Sequence, residues 1–197
     1  MVAPAFTDSV LAAQATFRAV LGATARPGTI ARLTEPLQPP APLSAGAAAI
    51  ALTLCDHDTR IWLDDGLRTS PTVVEWLRFH TGARMVTNPG AAAFAFISAP
   101  RELPPLDRFS PGTLEYPDRS TTVVIQADQV RVGRCLVLTG PGIRDEQRLR
   151  IAPLPDDMPE RFAANRRLFP CGVDLLFATQ TEIVAVPRST HVVDGGI

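Results

Sequence analysis

Side chains able to do chemistry gather in a few short stretches of the 197-residue sequence. In Cys55-Asp56-His57-Asp58-Thr59, groups that bind metals are dense. Consecutive residues point in different directions, so they cannot jointly surround one ion. The spacing predicts no metal site and leaves Asp56 and Asp58 as caps of a loop. Arg78-Phe79-His80-Thr81 closes a predicted helix, where cations interact with the last carbonyls. If Arg78 and His80 instead face a cleft, they bind an anion: arginine offers a bidentate fork and histidine carries a proton near neutral pH.

Gly140 and Gly142, in Leu138-Thr139-Gly140-Pro141-Gly142-Ile143, allow a tight turn whose amides can point at a ligand. Without a third glycine or a lysine, the plainer reading is a turn alone. Phe169-Pro170-Cys171-Gly172-Val173-Asp174 sets a carboxylate at the start of a strand. Pro187-Arg188-Ser189-Thr190-His191 follows the last predicted strand, a position where loops carry function. Arg188, Thr190 and His191 form an expected oxyanion pocket, with a solvated tail as the alternative. The expected ligand-binding set is therefore Asp56, Asp58, Arg78, His80, Gly140, Gly142, Asp174, Arg188, Thr190 and His191. No catalytic residue stands out, since the sequence holds no GxSxG, HExxH or CxxC pattern.

These stretches hang on elements that periodicity predicts. Apolar residues at helical spacing run from Asp8 to Ala23, with Thr7, Asp8 or Ser9 as cap. Further helices are predicted from Leu43 to Leu54, from Ser70-Pro71 to Thr81-Gly82, and from Glu160 to Arg167. Strands are predicted at Thr29 to Leu33, Thr59 to Leu63, Phe94 to Ile97, Val173 to Ala178 and Glu182 to Val186. Thr121 to Ala127 and Cys135 to Thr139, separated by a polar turn around Gly133, resemble a hairpin. Pro36 to Pro42 reads as a rigid loop, and Ala99 to Asp118 as loop with one helical turn. Helices alternate with strands early and strands cluster late, so the fold class is α/β, a mixed sheet covered by helices. The length suits one domain spanning residues 1–197.

Composition narrows the chemistry further. A content of 46% hydrophobic and 20% charged residues with net charge -1 is that of a globular protein, with no field drawing it to nucleic acid or membrane. The start carries no basic export signal, and the longest apolar stretch, Ala45 to Cys55, is too short for a bilayer span, so a cytoplasmic location is expected. Cys55, Cys135 and Cys171 are odd in number and widely spaced, which predicts reduced, buried thiols. All 19 basic residues are arginine. A pyridoxal-phosphate Schiff base and a P-loop each need a lysine, so neither can be built from these side chains, and no cofactor is expected.

Ordered segments carry a family resemblance. Phe17-Arg18 with Pro27-Gly28, Leu52-Thr53-Leu54 with Asp56, Asp58-Thr59, Trp62-Leu63, and Leu77-Arg78-Phe79-His80-Thr81 resemble the H subunit of bacterial carbon-phosphorus lyase. So do Leu138-Thr139-Gly140 with Gly142-Ile143, Phe169-Pro170 with Gly172 and Asp174-Leu175, and Pro187-Arg188 with Thr190-His191-Val192. The resemblance runs from Phe6 to Val192, with poor agreement at Ala99 to Asp118 and Pro155 to Arg167. It implies a homodimer that joins G, I and J subunits and supports formation of a ribose 1-phosphonate 5-triphosphate from ATP and a phosphonate. It also implies a fold like the large domain of pyridoxal-phosphate-dependent transferases, without the cofactor, and a phosphonate or nucleotide as possible ligand.

The missing lysine generates a direct expectation. After incubation with pyridoxal phosphate and borohydride reduction, peptide mass mapping should find no labelled side chain. A reduced adduct on a side chain inside the fold would refute it.

Overall fold

The computed structural model describes residues 3–34 and 37–196. Its centre is a seven-stranded sheet, ordered β1-β9-β8-β5-β4-β2-β3. Its strands are β1 (Ala31–Arg32), β2 (Arg60–Leu63), β3 (Arg84–Met85), β4 (Phe94–Ile97), β5 (Thr122–Gln126), β8 (Asp174–Ala178) and β9 (Glu182–Val186). Strands β3, β2, β4, β5 and β8 are parallel, whereas β9 runs antiparallel to both β8 and β1. A second, antiparallel sheet, ordered β10-β6-β7, is made by β6 (Gln129–Thr139), β7 (Gln147–Ala152) and β10 (His191–Asp194). The expected mixed α/β sheet is thus present.

The central strands are apolar at successive positions because both faces are covered. Val124, Phe96 and Leu176 point to one cluster, while Val123, Ile125, Ala95, Ile97, Leu175 and Phe177 point to another. Helices α1 (Ser9–Ala25), α2 (Ala45–Leu54), α3 (Asp65–Arg68) and α4 (Pro71–Thr81) lie on the first face. The second sheet and α5 (Met158–Arg166) cover the other through Leu136, Leu138, Leu149, Ile151, Met158 and Phe162. Local sequence starts and stops these helices. The Asp8 carboxylate accepts from the amides of Val10 and Leu11 at 3.1 and 3.0 Å and opens α1. Helix α4 begins on Pro71 and ends at Gly82. Ser70, expected as its cap, makes no capping bond, and its hydroxyl faces the Ala41 carbonyl at 3.4 Å instead.

Two expectations are corrected in the second half. β5 does not form a hairpin with β6: it inserts between β4 and β8, as its run of buried residues requires, while β6 pairs with β7 and β10. Gly133 is not in a turn but inside β6, where the register with β7 shifts and its φ is 97°. A Cβ there would lie 2.5 Å from the Ile151 carbonyl oxygen, so only glycine fits this bulge. The loop expected to hold one helical turn has two short 3-10 turns, Pro100–Glu102 and Leu106–Arg108, and a third, Pro117–Arg119, at its end. Cys171 is partly exposed, unlike buried Cys55 and Cys135, and all three thiols are free. Of the proline-rich stretch, Pro36 lies outside the described residues.

Where β2 and β4 end, Asp64 ties their exits together. Its carboxylate accepts from the amides of Leu67, Ser98 and Ala99 at 3.0, 2.6 and 3.1 Å, and from the Ser98 hydroxyl at 2.9 Å. Asp64→Ala leaves the buried Leu67 amide and the partly buried Ser98 and Ala99 donors without an acceptor and should destabilise the fold by about 3 kcal/mol, since each orphaned group costs roughly 1–3. Urea unfolding measures it, and a loss below about 1 kcal/mol would show that Asp64 does not hold the two strand ends.

Candidate functional site

The residues expected to bind a ligand divide by what already holds them. The Asp56 carboxylate accepts from its own turn, the Thr59 hydroxyl at 2.8 Å and the Asp58 amide at 3.0 Å, and these bonds hold it below the usual carboxylate range. Asp58 is exposed and lies 3.4 Å from His57. Among the described residues, no three His, Cys, Asp or Glu side chains are grouped to hold a metal. Burial pushes the neighbouring Cys55 thiol up, so it is held as the neutral thiol.

His80 serves the chain rather than an open cleft. Its Nε2 lies 2.9 Å from the Ala3 carbonyl oxygen, which also accepts from Trp76 Nε1 at 2.9 Å. The two rings lie 4.7 Å apart, and together they anchor the segment before α1. Arg78, on the same helix, is exposed. Gly142 packs against the end of α1: a Cβ there would lie 2.1 Å from the Ala25 carbonyl oxygen. Gly140 accepts from the Ile143 amide at 3.1 Å and lies beside Ser189 and Thr190.

The structure does bring Asp174 and Arg188 together. Antiparallel pairing of β8 and β9 sets them side by side, and the Asp174 carboxylate accepts from the Arg188 amide at 2.8 Å, from Nε at 3.1 Å and from an Nη nitrogen. The other Nη donates to the Pro117 carbonyl. Every nitrogen of that guanidinium is therefore engaged inside the protein. Thr190 is 3% exposed, and its hydroxyl has no hydrogen-bond partner among the described residues. His191 opens β10 opposite Thr139 with its side chain exposed. No hydrogen bond or ion pair among the described residues joins Arg78 and His80 to Arg188 and His191. The first pair sits on α4, and the second flanks the far end of the sheet.

The anion site that such a fold offers first is the N-terminus of a helix beside strand ends. In α2 that end is already filled. The Ser44 amide donates to Gln126 at 2.6 Å, the Ala45 amide to Gln180 at 3.0 Å, the Gly46 amide to the Thr179 carbonyl at 3.1 Å and the Ala47 amide to the Ser44 hydroxyl at 3.2 Å.

A crevice opens where β2 and β4 end. The connection from β2 to β3 passes over the first face through α3 and α4, and that from β4 to β5 over the second through Leu103, Leu106 and Phe109. The chain thus diverges between β2 and β4, the topological switch point at which open α/β sheets bind ligands. The crevice there, of about 410 Å³, is lined by Trp62, Asp65, Arg68, Thr87, Pro89, Pro104 and Arg108. Trp62 is fixed by a bond from Nε1 to the Thr87 carbonyl at 3.2 Å and by edge-on packing against Phe109 at 5.8 Å. Arg68 meets Asp65 at 2.8 Å on the surface, while Arg108 makes no side-chain hydrogen bond or ion pair among the described residues. Arg68 and Arg108 escaped the sequence analysis because no local motif marks them. Only the crossing of connections brings them to Trp62.

Fold and site together define an α/β protein of the mixed-sheet class whose strand-end polar groups are largely satisfied by its own side chains. The chain belongs to the family described as bacterial phosphonate metabolism protein (PhnH), which it matches over residues 4–193. It is 43% identical over 188 residues to the alpha-D-ribose 1-methylphosphonate 5-triphosphate synthase subunit PhnH of Rhizobium meliloti (strain 1021), covering 94% of this chain and 92% of that protein. It is 34% identical over 102 residues to a putative C-P lyase subunit protein, HtxG, of Stutzerimonas stutzeri, covering 52% and 51% of the two chains.

The Asp174–Arg188 pair gives a stability test. Arg188→Ala leaves a half-buried carboxylate unpaired and should cost about 2 kcal/mol, less than the 3–5 of a fully buried pair because water reaches Asp174. Asp174→Ala should cost a similar amount, and the double substitution clearly less than the sum. Additive losses in urea unfolding would mean that the pair is not a coupled unit.

Proposed function

We propose that this chain is a subunit of a carbon-phosphorus lyase core complex. It supports formation of ribose 1-phosphonate 5-triphosphate from ATP and a phosphonate, and it contributes binding surface rather than catalysis of its own. Family membership and the roles named for its relatives support the pathway. The internal engagement of His80, Asp174 and Arg188 and the closed end of α2 support a role without chemistry by the isolated chain. The seven-stranded sheet, parallel except for β9, supports likeness to the large domain of pyridoxal-phosphate-dependent transferases. No described helix is long and apolar enough to cross a membrane, and the proposed assembly works in the cytoplasm.

The observation that carries the subunit reading is the outer face of α1. Val10, Leu11, Phe17 and Leu21 are 74%, 63%, 49% and 55% exposed, and the helix carries one charged residue, Arg18. Val10, Gln14, Phe17 and Leu21 follow helical spacing along one stripe. A two-fold antiparallel pairing would set Val10 against Leu21 and Gln14 against Phe17 of a second copy. Isologous pairing of this kind is the commonest form of soluble oligomer. Surfaces beside the paired stripe then meet the G, I and J subunits.

Light scattering should report twice the chain mass, and co-expression with the G, I and J proteins should yield one co-eluting assembly. Phe17→Glu with Leu21→Glu changes only exposed positions, so stability should shift by about 0.5 kcal/mol per site or less while self-association is lost. A monomeric wild type that elutes apart from all three partners would overturn the reading.

A further inference from the structure

We propose that the crevice at the switch point binds a nucleotide, with its base against Trp62 and its phosphates on Arg68 and Arg108. The position is where opposed connections leave the edge of an open sheet uncovered. The lining supplies the two things such a ligand needs. Trp62 presents an aromatic surface whose orientation is fixed by Thr87 and Phe109, so stacking a base on it orders little that is not already ordered. Arg68 and Arg108 flank it with guanidinium forks suited to phosphate oxygens.

Arg134, Arg161 and Arg188 are each bonded to a carboxylate and a carbonyl of the chain itself. Arg108, like Arg78 and Arg84, is exposed and has no such bond among the described residues, and what sets it apart is its place in the crevice beside Trp62. The partner of Arg68, Asp65, is 86% exposed, and a surface pair of that kind yields readily to a stronger anion. Size separates the candidate ligands. A crevice of about 410 Å³ lies in the range of sites for molecules with a ring system, far larger than a bare phosphate or small phosphonate needs.

This inference does not depend on assembly with partners, and either can fail alone. Calorimetry and tryptophan fluorescence on the full chain would use ADP, adenosine and pyrophosphate as probes. ADP is expected to bind and quench Trp62, with adenosine and pyrophosphate each at least about tenfold weaker because each keeps half of the contacts. Arg108→Ala should weaken ADP by about tenfold or more, since it removes a charge-assisted bond. Trp62→Phe should abolish the quench, and Arg78→Ala, outside the crevice, should leave affinity unchanged. Circular dichroism confirms that each variant is folded. Absence of heat and quench with millimolar ADP, or equal affinity in wild type and Arg108→Ala, would overturn the site. Pyrophosphate binding as tightly as ADP would overturn the nucleotide assignment.

Discussion

Burial of the central strands on both faces is the constraint from which the rest follows. β4, β5 and β8 carry consecutive apolar side chains, and each aliphatic group removed from water contributes about 1.5–3 kcal/mol. A sheet covered on one side only would forfeit half of that. Helices α1, α2 and α4 cover the first face, but no helix of comparable length follows β4. The antiparallel sheet of β6, β7 and β10 therefore closes the second face, with α5 beside it. That sheet stops short of β2 and β3, and this unequal cover leaves Trp62 partly open.

Packing this tight moves the cost to polar groups at strand ends, which water no longer serves. The chain meets it with side chains reached from afar: Asp64 on the exits of β2 and β4, Gln126 and Gln180 on α2, and Asp174 on the segment after β9. Each of these side chains is thereby committed to holding the chain's own backbone.

Periodicity revealed the helices because their signals are local. Asp8 caps α1, Pro71 opens α4 and Gly82 closes it, all within a few residues of the turns they control. The error over β5 and β6 arose because a glycine between two apolar runs suits a turn or a bulge equally. What separates the cases is the lack of alternation in β5, which marks burial on both faces. β7 alternates Arg148, Leu149, Arg150 and Ile151, so its signal was present, whereas β3 is too short to carry one. Arginine and histidine chosen by type were uninformative about availability. Arg188 meets Asp174 only after β8 and β9 pair, and Arg108 reaches Trp62 only after the loop beyond β4 crosses the second face.

The way α2 is capped governs when the chain can fold. Its Ser44 and Ala45 amides are bonded by glutamines 82 and 135 residues later, and β1, just before it, pairs with β9. A ten-residue helix has little stability alone. At about 5–20 residues per second, Ala45 is added to the chain roughly 7–27 s before Gln180. α1 and α2 can already pack on each other, and α2 on α4 and β5 once those are made, but until Gln180 and β9 follow, the Ala45 amide lacks its acceptor and β1 its partner strand. Final seating of the first quarter of the protein therefore waits for its last strands.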